Sequence, residues 1–416
     1  MSAHIDAAWL RDDTVQAVLR AVSGAGEEAR VVGGAVRNHM LGLPITDIDI
    51  ATTCLPQDTA QRGQAAGFKT VPTGIDHGTV TLVANGRPFE VTTLRHDTEP
   101  DGRRARVVFG RDWRQDAERR DFTINALYVD AGGAVLDLVG GLADLSEGRL
   151  RFIGQAEDRI REDYLRALRF FRFYAWYGKG RPDAEALRAV TRLKDRLAKL
   201  SAERVAAELG KLLTAPDPSR ALLWMRQTGV LTAILPESER WGIDAIHGLV
   251  AAEAEHGWDA DPVLRLMAIV PPDEARLTEM ARRLRFSNAW RKRLQAFARM
   301  APLRAEFTQD AFRSLLQETD RQAIRDRLRL DLAGASARGD AAGAASLERL
   351  AALMDEFEPL AFPVSGEDVQ AAGVPAGKPV GEALTRLRRL WLDGGMRADR
   401  EALLAALADA DTKTGP

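Results

Sequence analysis

Apolar positions recur near helical spacing at Ala8, Leu10, Val15, Val18, Leu19 and Val22, so residues 6–23 read as one amphipathic helix. Ala29–Val32 is a short apolar strand that runs into Gly33-Gly34 and a helical stretch ending near Leu41. Ile45–Ala51 reads as the next strand. Thr79–Val83 and Phe89–Leu94 predict a strand pair around the Asn85-Gly86 turn. Residues 95–118 are polar, Arg-rich and weakly patterned, which predicts a mobile loop. Thr123–Val129 and Val135–Leu138 predict a second hairpin around Gly132-Gly133. From about residue 157 the pattern is almost entirely helical, dominated by Ala, Leu, Arg and Glu. The elements predict an α+β chain: a small head of strands and helices, then a long all-α remainder.

Composition narrows this picture. A chain of 416 residues is long enough for two to four domains. Its hydrophobic fraction of 45% and charged fraction of 28% are those of a globular protein. No apolar run approaches the ~20 residues needed to span a bilayer, so no membrane partner is expected. The N-terminal segment MSAHIDAAWLRDDTV carries acids and no apolar core, which argues against a secretory signal. The single cysteine, Cys54, can build neither a disulfide framework nor a thiolate zinc site, which fits a reducing cytoplasm. Net charge is close to zero but unevenly spread. Residues 1–100 carry 8 Lys/Arg against 12 Asp/Glu, whereas residues 101–215 carry 23 against 18. An acidic front and a basic middle suit a metal site beside a polyanion-binding surface, although solvated Arg-rich helix faces would produce the same numbers.

The chemistry concentrates in Thr46-Asp47-Ile48-Asp49-Ile50. Side chains alternate along a strand, so Asp47 and Asp49 are expected on one face, with Ile48 and Ile50 toward the core. Paired carboxylates repel unless a cation sits between them, and Mg²⁺ prefers carboxylate and water oxygens. Two such ions could activate a 3′-hydroxyl and stabilise a pyrophosphate leaving group. An isolated Asp-x-Asp is common as plain surface charge. Here it follows Val31-Val32-Gly33-Gly34-Ala35-Val36-Arg37, a strand running through two glycines into a helix. Glycine lets backbone amides approach a phosphate, and Arg37 adds a fork of donors. A third carboxylate, Glu90, shares a strand face with Thr92 and would complete a three-carboxylate cluster.

Gly33-Gly34-x-Val36-Arg37, Asp47-x-Asp49, Glu90-Val-Thr-Thr-Leu-Arg95 and Arg119-Arg120-Asp121-Phe122-Thr123-Ile124-Asn125-Ala126 occur in the order and spacing of class II tRNA nucleotidyltransferases. The chain therefore resembles that group, within the polymerase-β-like nucleotidyltransferase superfamily. Asp137-Leu-Val-Gly140-Gly141-Leu-Ala-Asp144-Leu145 resembles the group's hinge motif, and Glu162-Asp163-Tyr-Leu-Arg166 its base-selecting motif. Glu203-Arg204 through Lys211 looks like the helix that follows. These motifs cover residues 31–211; Val364 to Asp393 resembles the C-terminal helices less specifically. The resemblance implies a polymerase-β-like head (1–150), a helical neck that selects the base (151–215), and an all-α body and tail that bind tRNA (216–416). It implies addition of C, C and A to the 3′ end of tRNA from CTP and ATP, with pyrophosphate released. Asp47 and Asp49 would bind Mg²⁺, with Glu90 completing the catalytic cluster. Gly33, Gly34, Arg37 and Arg120 would hold the triphosphate. Asp121 and Asn125 would contact the sugar or order the site, and Asp163, Arg166 and Arg169 belong to the nucleotide-binding set. One position departs from the group: the residue after the motif arginine, usually Asp, is Asn38, so any salt bridge made there is lost.

Base selection also follows from chemistry. Three residues apart, Asp163 and Arg166 are expected on one helix face, with Tyr164, Leu168, Phe171 and Ala175 on another. Cytosine and adenine both place an amino donor beside a ring-nitrogen acceptor, so one Asp and one Arg can read both. Uracil and guanine invert that order, and each mispairing costs roughly 1–3 kcal/mol of discrimination. An i,i+3 ion pair on a solvated face is the plain alternative. Residues 95–114 resemble the flexible loop that the group needs to switch from C to A. Two rival readings are a bacterial poly(A) polymerase sharing head and neck, and a non-catalytic RNA-binding scaffold. The six histidines show no metal-site spacing, and His247, His256 and Asp259 in the helical region include no adjacent His-Asp pair, so no hydrolase domain is expected.

Overall fold

The structure is a computed structural model that describes residues 3–98, 106–239, 241–303 and 307–412. The chain divides into two compact units, Met1–Ile234 and Leu235–Pro416.

The first unit begins with α1 (Ala8–Arg11) and α2 (Asp13–Ala21). The expected single helix over 6–23 is thus two pieces. The Asp12 carboxylate accepts the amides of Thr14 and Val15 at 3.0 and 3.1 Å, and its own backbone is non-helical, so a new helix starts there. Then follow β1 (Ala29–Val32), α3 (Gly34–Met40), β2 (Asp49–Thr52), α4 (Pro56–Ala65), β3 (Lys69–Gly74), β4 (Thr79–Ala84) and β5 (Arg87–Thr93). Asn85 and Gly86 both take positive φ, 50° and 75°, as the tight β4–β5 turn requires. Val80, Leu82 and Ala84 alternate into the core along β4.

Residues 95–118 differ from the expected irregular loop. β6 (Arg95–Thr98) pairs antiparallel with β7 (Arg106–Phe109), and Trp113–Glu118 forms α5, capped by the Asp112 carboxylate. The tip, 99–105, lies outside the described residues. Next come β8 (Leu127–Val129) and β9 (Val135–Asp137); the expected first strand of this hairpin is shorter because Thr123–Asn125 forms a 3-10 turn. Among the described residues β3-β4-β5-β2-β1-β8-β9 form one seven-stranded sheet, in which β2 and β5 run parallel.

Helices complete this unit: α6 (Gly141–Glu147), α7 (Ala156–Glu162), α8 (Leu165–Tyr177), α9 (Ala184–Leu193), α10 (Ala202–Leu213), α11 (Ser219–Gln227) and α12 (Val230–Ile234). Phe122 and Phe152, 4.8 Å apart at their ring centroids, pack on Phe170 and Phe173 of α8 at 5.3–6.4 Å. This aromatic cluster seats α8 against the segment carrying Arg120, Asp121 and Asn125.

The second unit is helical: α13 (Ala245–His256), α14 (Pro262–Ile269), α15 (Glu274–Arg283), α16 (Asn288–Arg299), α17 (Gln309–Glu318), α18 (Arg321–Ala337), α19 (Ala341–Glu356), α20 (Gly366–Ala371), α21 (Lys378–Asp393) and α22 (Arg400–Thr412). Phe312, Ile324, Leu328, Leu387, Trp391 and Leu403 anchor its C-terminal core. No helix among the described residues is long and apolar enough to cross a membrane.

Candidate active site

Strand β1 ends at the buried Val32, and Gly33 follows with φ 70° and ψ −111°. A side chain would be strained in that conformation, and its Cβ would lie 3.4 Å from the Asn125 carbonyl oxygen. Gly33 donates its amide to Leu127 of β8 at 3.0 Å, which fixes the turn to the sheet. One helical turn on, Arg37 is only 7% exposed. It donates to Asn125 Oδ1 at 2.5 Å, to Asn38 Oδ1 at 3.2 and 3.0 Å, and to the Tyr177 hydroxyl at 2.9 Å. It also stacks 4.2 Å from the Tyr177 ring centroid. Asn38 therefore keeps an acceptor toward Arg37 while its amide nitrogen donates to the Pro44 carbonyl at 2.8 Å. The departure at this position costs the charge and retains the hydrogen bond. These side-chain partners of Arg37 are neutral, and burial holds its guanidinium below its ordinary value.

The carboxylates are placed by register. Ile50 of β2 lies opposite Val91 of β5 in the parallel pair, which puts Asp49, the first residue of β2, beside Glu90 in the middle of β5. Ile50 and Val91 are buried, so Asp49 and Glu90 share the opposite, solvent-facing side. Asp47 does not share the strand: β2 begins only at Asp49, and Asp47 lies in the irregular segment before it, accepting a hydrogen bond from the Thr46 hydroxyl at 3.0 Å. The three groups nevertheless feel one another. Burial, then Glu90, then Asp47 push the Asp49 carboxyl above its ordinary value, and Arg120 opposes them. Among the described residues no three carboxylate, imidazole or thiol groups close on one point to hold an ion unaided. Hard oxygen donors and mutual repulsion fit a hard divalent cation whose remaining positions are filled by phosphate and water.

Asp49 opens onto a cleft of about 530 Å³ that Gly33 and Gly34 also line. Seven arginines line it: Arg37, Arg119, Arg120, Arg166, Arg169, Arg172 and Arg204. Six are held by carboxylates. Arg119 and Arg120 share Asp116, Arg166 pairs with Glu162, Arg169 with Asp121, Arg172 with Glu208 at 2.7 Å, and Arg204 with Asp163 at 2.6 Å. Arg166, Arg169 and Arg172 form one row down α8, each held by a different element. Asp121 is 8% exposed; its Oδ1 accepts from the Phe122 amide at 2.9 Å and the Asn125 side chain at 3.0 Å, while Oδ2 accepts from Arg169 Nε at 2.8 Å. Burial alone would raise its carboxyl, but Arg169 and the two hydrogen bonds hold it below the ordinary range. An unbroken path thus runs from Arg37 through Asn125 and Asp121 to Arg169, joining α3 to α8.

Asp163 and Arg166 both line the cleft, but not as one helix face. Asp163 has extended backbone (φ −151°, ψ 108°) between α7 and α8, and only Arg166 is helical. Asp163 Oδ1 accepts the Leu165 amide at 3.1 Å and Oδ2 faces Arg204, so the two residues are fixed by separate partners instead of by each other. The expected packing face of α8 holds for Leu168 and Phe171; Tyr164 and Ala175 are half-buried. Gly140-Gly141 is a packed turn. The Asp137 carboxylate accepts the amides of Val139, Gly140, Gly141 and Leu142, and a Cβ on Gly141 would sit 2.3 Å from the Thr123 carbonyl oxygen. The turn leaves no room for a side chain at Gly141.

Sequence reading missed Asp116, Tyr128, Arg172, Tyr177 and Glu208. The i,i+3 and i,i+4 spacing of Asp116 to Arg119 and Arg120, and the i,i+3 repeat from Arg166 to Arg172, were the available signals. Tyr177 and Glu208 carried none, because their partners are distant in sequence.

The chain that carries these carboxylates and this arginine-lined cleft is similar in sequence and fold to known proteins. The family described as Poly A polymerase head domain matches residues 29–151, and the one described as probable RNA and SrmB-binding site of polymerase A matches residues 181–241. The mitochondrial CCA tRNA nucleotidyltransferase 1 of Mus musculus is 33% identical over 389 residues, covering 91% of this chain and 86% of that protein. A CCA-adding enzyme of Streptococcus pyogenes is 45% identical over 203 residues, 48% of this chain and 49% of its own. Among solved structures, the Bacillus stearothermophilus CCA-adding enzyme in complex with CTP matches with a TM-score of 0.68 at 28% identity, covering 96% of this chain and 97% of that one. The Thermotoga maritima CCA-adding enzyme complexed with tRNA shares the fold at a TM-score of 0.68 and 20% identity, covering 99% and 100%. With its polymerase-β-like head and its 33% identity to the Mus musculus enzyme over nearly the whole chain, the protein belongs to the class II CCA tRNA nucleotidyltransferases, a metal-dependent family.

Proposed function

We infer that the chain adds C, C and A in turn to the 3′ end of tRNA, taking CTP and ATP and releasing pyrophosphate, without a nucleic-acid template. The observation that carries this is Asp49, set beside Glu90 by the β2–β5 register and opening onto the arginine-lined cleft. Asp47 and Asp49 would hold Mg²⁺, with Glu90 completing the cluster. Magnesium bound there would supply activation of the 3′-hydroxyl and charge stabilisation of the leaving pyrophosphate. Arg37 and Arg120, with the backbone at Gly33 and Gly34, bind the triphosphate and align its α-phosphorus with the tRNA 3′ oxygen. A new P–O ester bond forms as the bond to the bridging oxygen breaks. The hydroxyl proton leaves to solvent, and the chain ends one nucleotide longer.

Base choice falls to Asp163 as acceptor and Arg166 as donor. A carboxylate has about four lone-pair sites, so Asp163 can accept from a base while it caps Leu165 and faces Arg204. Asp121 and Asn125 order Arg37 and Arg169 around the nucleotide. In this reading residues 1–150 catalyse, 151–215 select the base, and 216–416 bind tRNA. The setting we favour is the cytoplasm, supported by a buried free Cys54 in a chain whose only cysteine it is.

The test incubates the protein with Mg²⁺, labelled CTP or ATP, and tRNA lacking its 3′ end. A product three nucleotides longer and ending in CCA is expected. An open-ended adenosine tail would point to a poly(A) polymerase, and no extension to a binding scaffold.

A further inference from the structure

We propose that Asp116 is a positioning residue for nucleoside triphosphate binding, acting through Arg120 and held in place by Tyr128. Asp116 belongs to no motif singled out from the sequence. It lies on α5 and is 1% exposed, against a small apolar cluster that includes Val32, Ala117, Tyr128 and Ile153. Its two oxygens are divided. Oδ1 accepts from Arg119 Nε at 2.8 Å. Oδ2 accepts from Arg120 Nε at 3.1 Å, from an Arg120 terminal nitrogen at 3.0 Å, and from the Tyr128 hydroxyl at 2.8 Å. The Tyr128 hydroxyl also meets Arg120 Nε at 3.1 Å.

A single cation would neutralise this buried carboxylate. Two guanidiniums and a phenol do more: they fix the plane of the Arg120 fork. Asp116 engages Nε and one terminal nitrogen, so the other terminal nitrogen is the donor left by this carboxylate for the cleft that Arg120 lines with Gly33, Gly34 and Asp49. Tyr128 sits opposite Val32 in the β1–β8 pair, directly before the glycine turn. Asp116 thus ties the arginine and the turn to one anchor. Fixing a long arginine at folding removes an ordering cost that nucleotide binding would otherwise bear.

The proposal rests on the nucleotidyl-transfer reading, and its test separates the two. The full-length protein is compared as Asp116→Asn, Arg120→Ala and the double variant, with KM and kcat measured for CTP and ATP and with inorganic tripolyphosphate as a competing inhibitor. CCA addition by the unaltered protein in the same assay upholds the reading whatever the variants do. Asp116→Asn should raise KM for both nucleotides by the same factor, about tenfold, as expected for losing a charge-assisted contact. Tripolyphosphate inhibition should weaken in parallel, the choice between CTP and ATP should not change, and the substitution should add nothing in the Arg120→Ala background. A merely structural role would lower the active fraction and melting temperature with KM unmoved. Tyr128→Phe, which removes one hydroxyl, should give a smaller KM rise that also vanishes with Arg120→Ala, and it decides alone should Asp116→Asn fail to fold. Unchanged KM, or effects of equal size with and without Arg120, overturn the proposal.

Discussion

Replacing Asp49 by Asn should make the protein slightly more stable and catalytically inert. Parallel neighbours β2 and β5 lie about 4.8 Å apart, so two carboxylates at adjacent register positions sit roughly 5 Å from each other. At that separation two unit charges repel by roughly 1 kcal/mol in a water-like dielectric, the appropriate limit for a solvent-facing pair. Asp47 adds to this and Arg120 subtracts from it. The sign follows from the direction of the shift. Asp49 titrates higher in the folded protein than in the unfolded chain, because of burial, Glu90 and Asp47. Its ionisation therefore costs stability as pH rises from the unfolded value through the folded one. Asp49→Asn removes that cost at neutral pH and gains nothing in acid, where both side chains are neutral. For a unit of this size the gain is roughly 2–4 °C in melting temperature. Thermal melts at pH 7 and pH 3.5, with and without millimolar Mg²⁺, make the measurement, alongside tRNA extension. Magnesium should raise the melting temperature of the unaltered protein and close the gap, since it neutralises the repulsion that the substitution removes. A variant less stable than the parent at pH 7 without metal would refute the reasoning, as would retained extension.

Asp163→Ala or Arg166→Ala should raise UTP and GTP incorporation relative to CTP and ATP in competition assays; unchanged selectivity in folded variants would remove the base-reading role. Deleting residues within 99–105, between the β6 and β7 strands, should leave addition of two cytidines and impair the adenosine, read as product length on gels with CTP alone and then both nucleotides. In the second unit Arg265 and Glu253, 2% and 5% exposed at the side chain, pair at 2.5 Å. Arg265→Ala should cost that unit about 3–5 kcal/mol by leaving a buried carboxylate unpaired, visible as a lowered urea midpoint.

The sequence by itself determined the α+β division, the β4–β5 hairpin and the identity of the chemistry. These depend on local rules: Asn85-Gly86 suits a turn that needs positive φ, alternation along β4 marks a buried face, and carboxylates and glycines keep their order in any conformation. It placed Asp49 and Glu90 on strands, but not beside each other, because strand register is a long-range pairing that no local pattern encodes. Tertiary structure decided the rest. Asp12 split the first helix because a side-chain cap outweighed a continuous apolar stripe. Asp163 left the helix, so a spacing that suggested one face became two positions held by Arg204 and Glu162. The arginine cleft is also tertiary: Arg37 meets Asn125 and Tyr177 only after 88 and 140 residues of chain have folded back. Hydrogen bonds between residues so far apart cost loop-closure entropy that only the packed core can offset, which is why their partners are absent from any local reading.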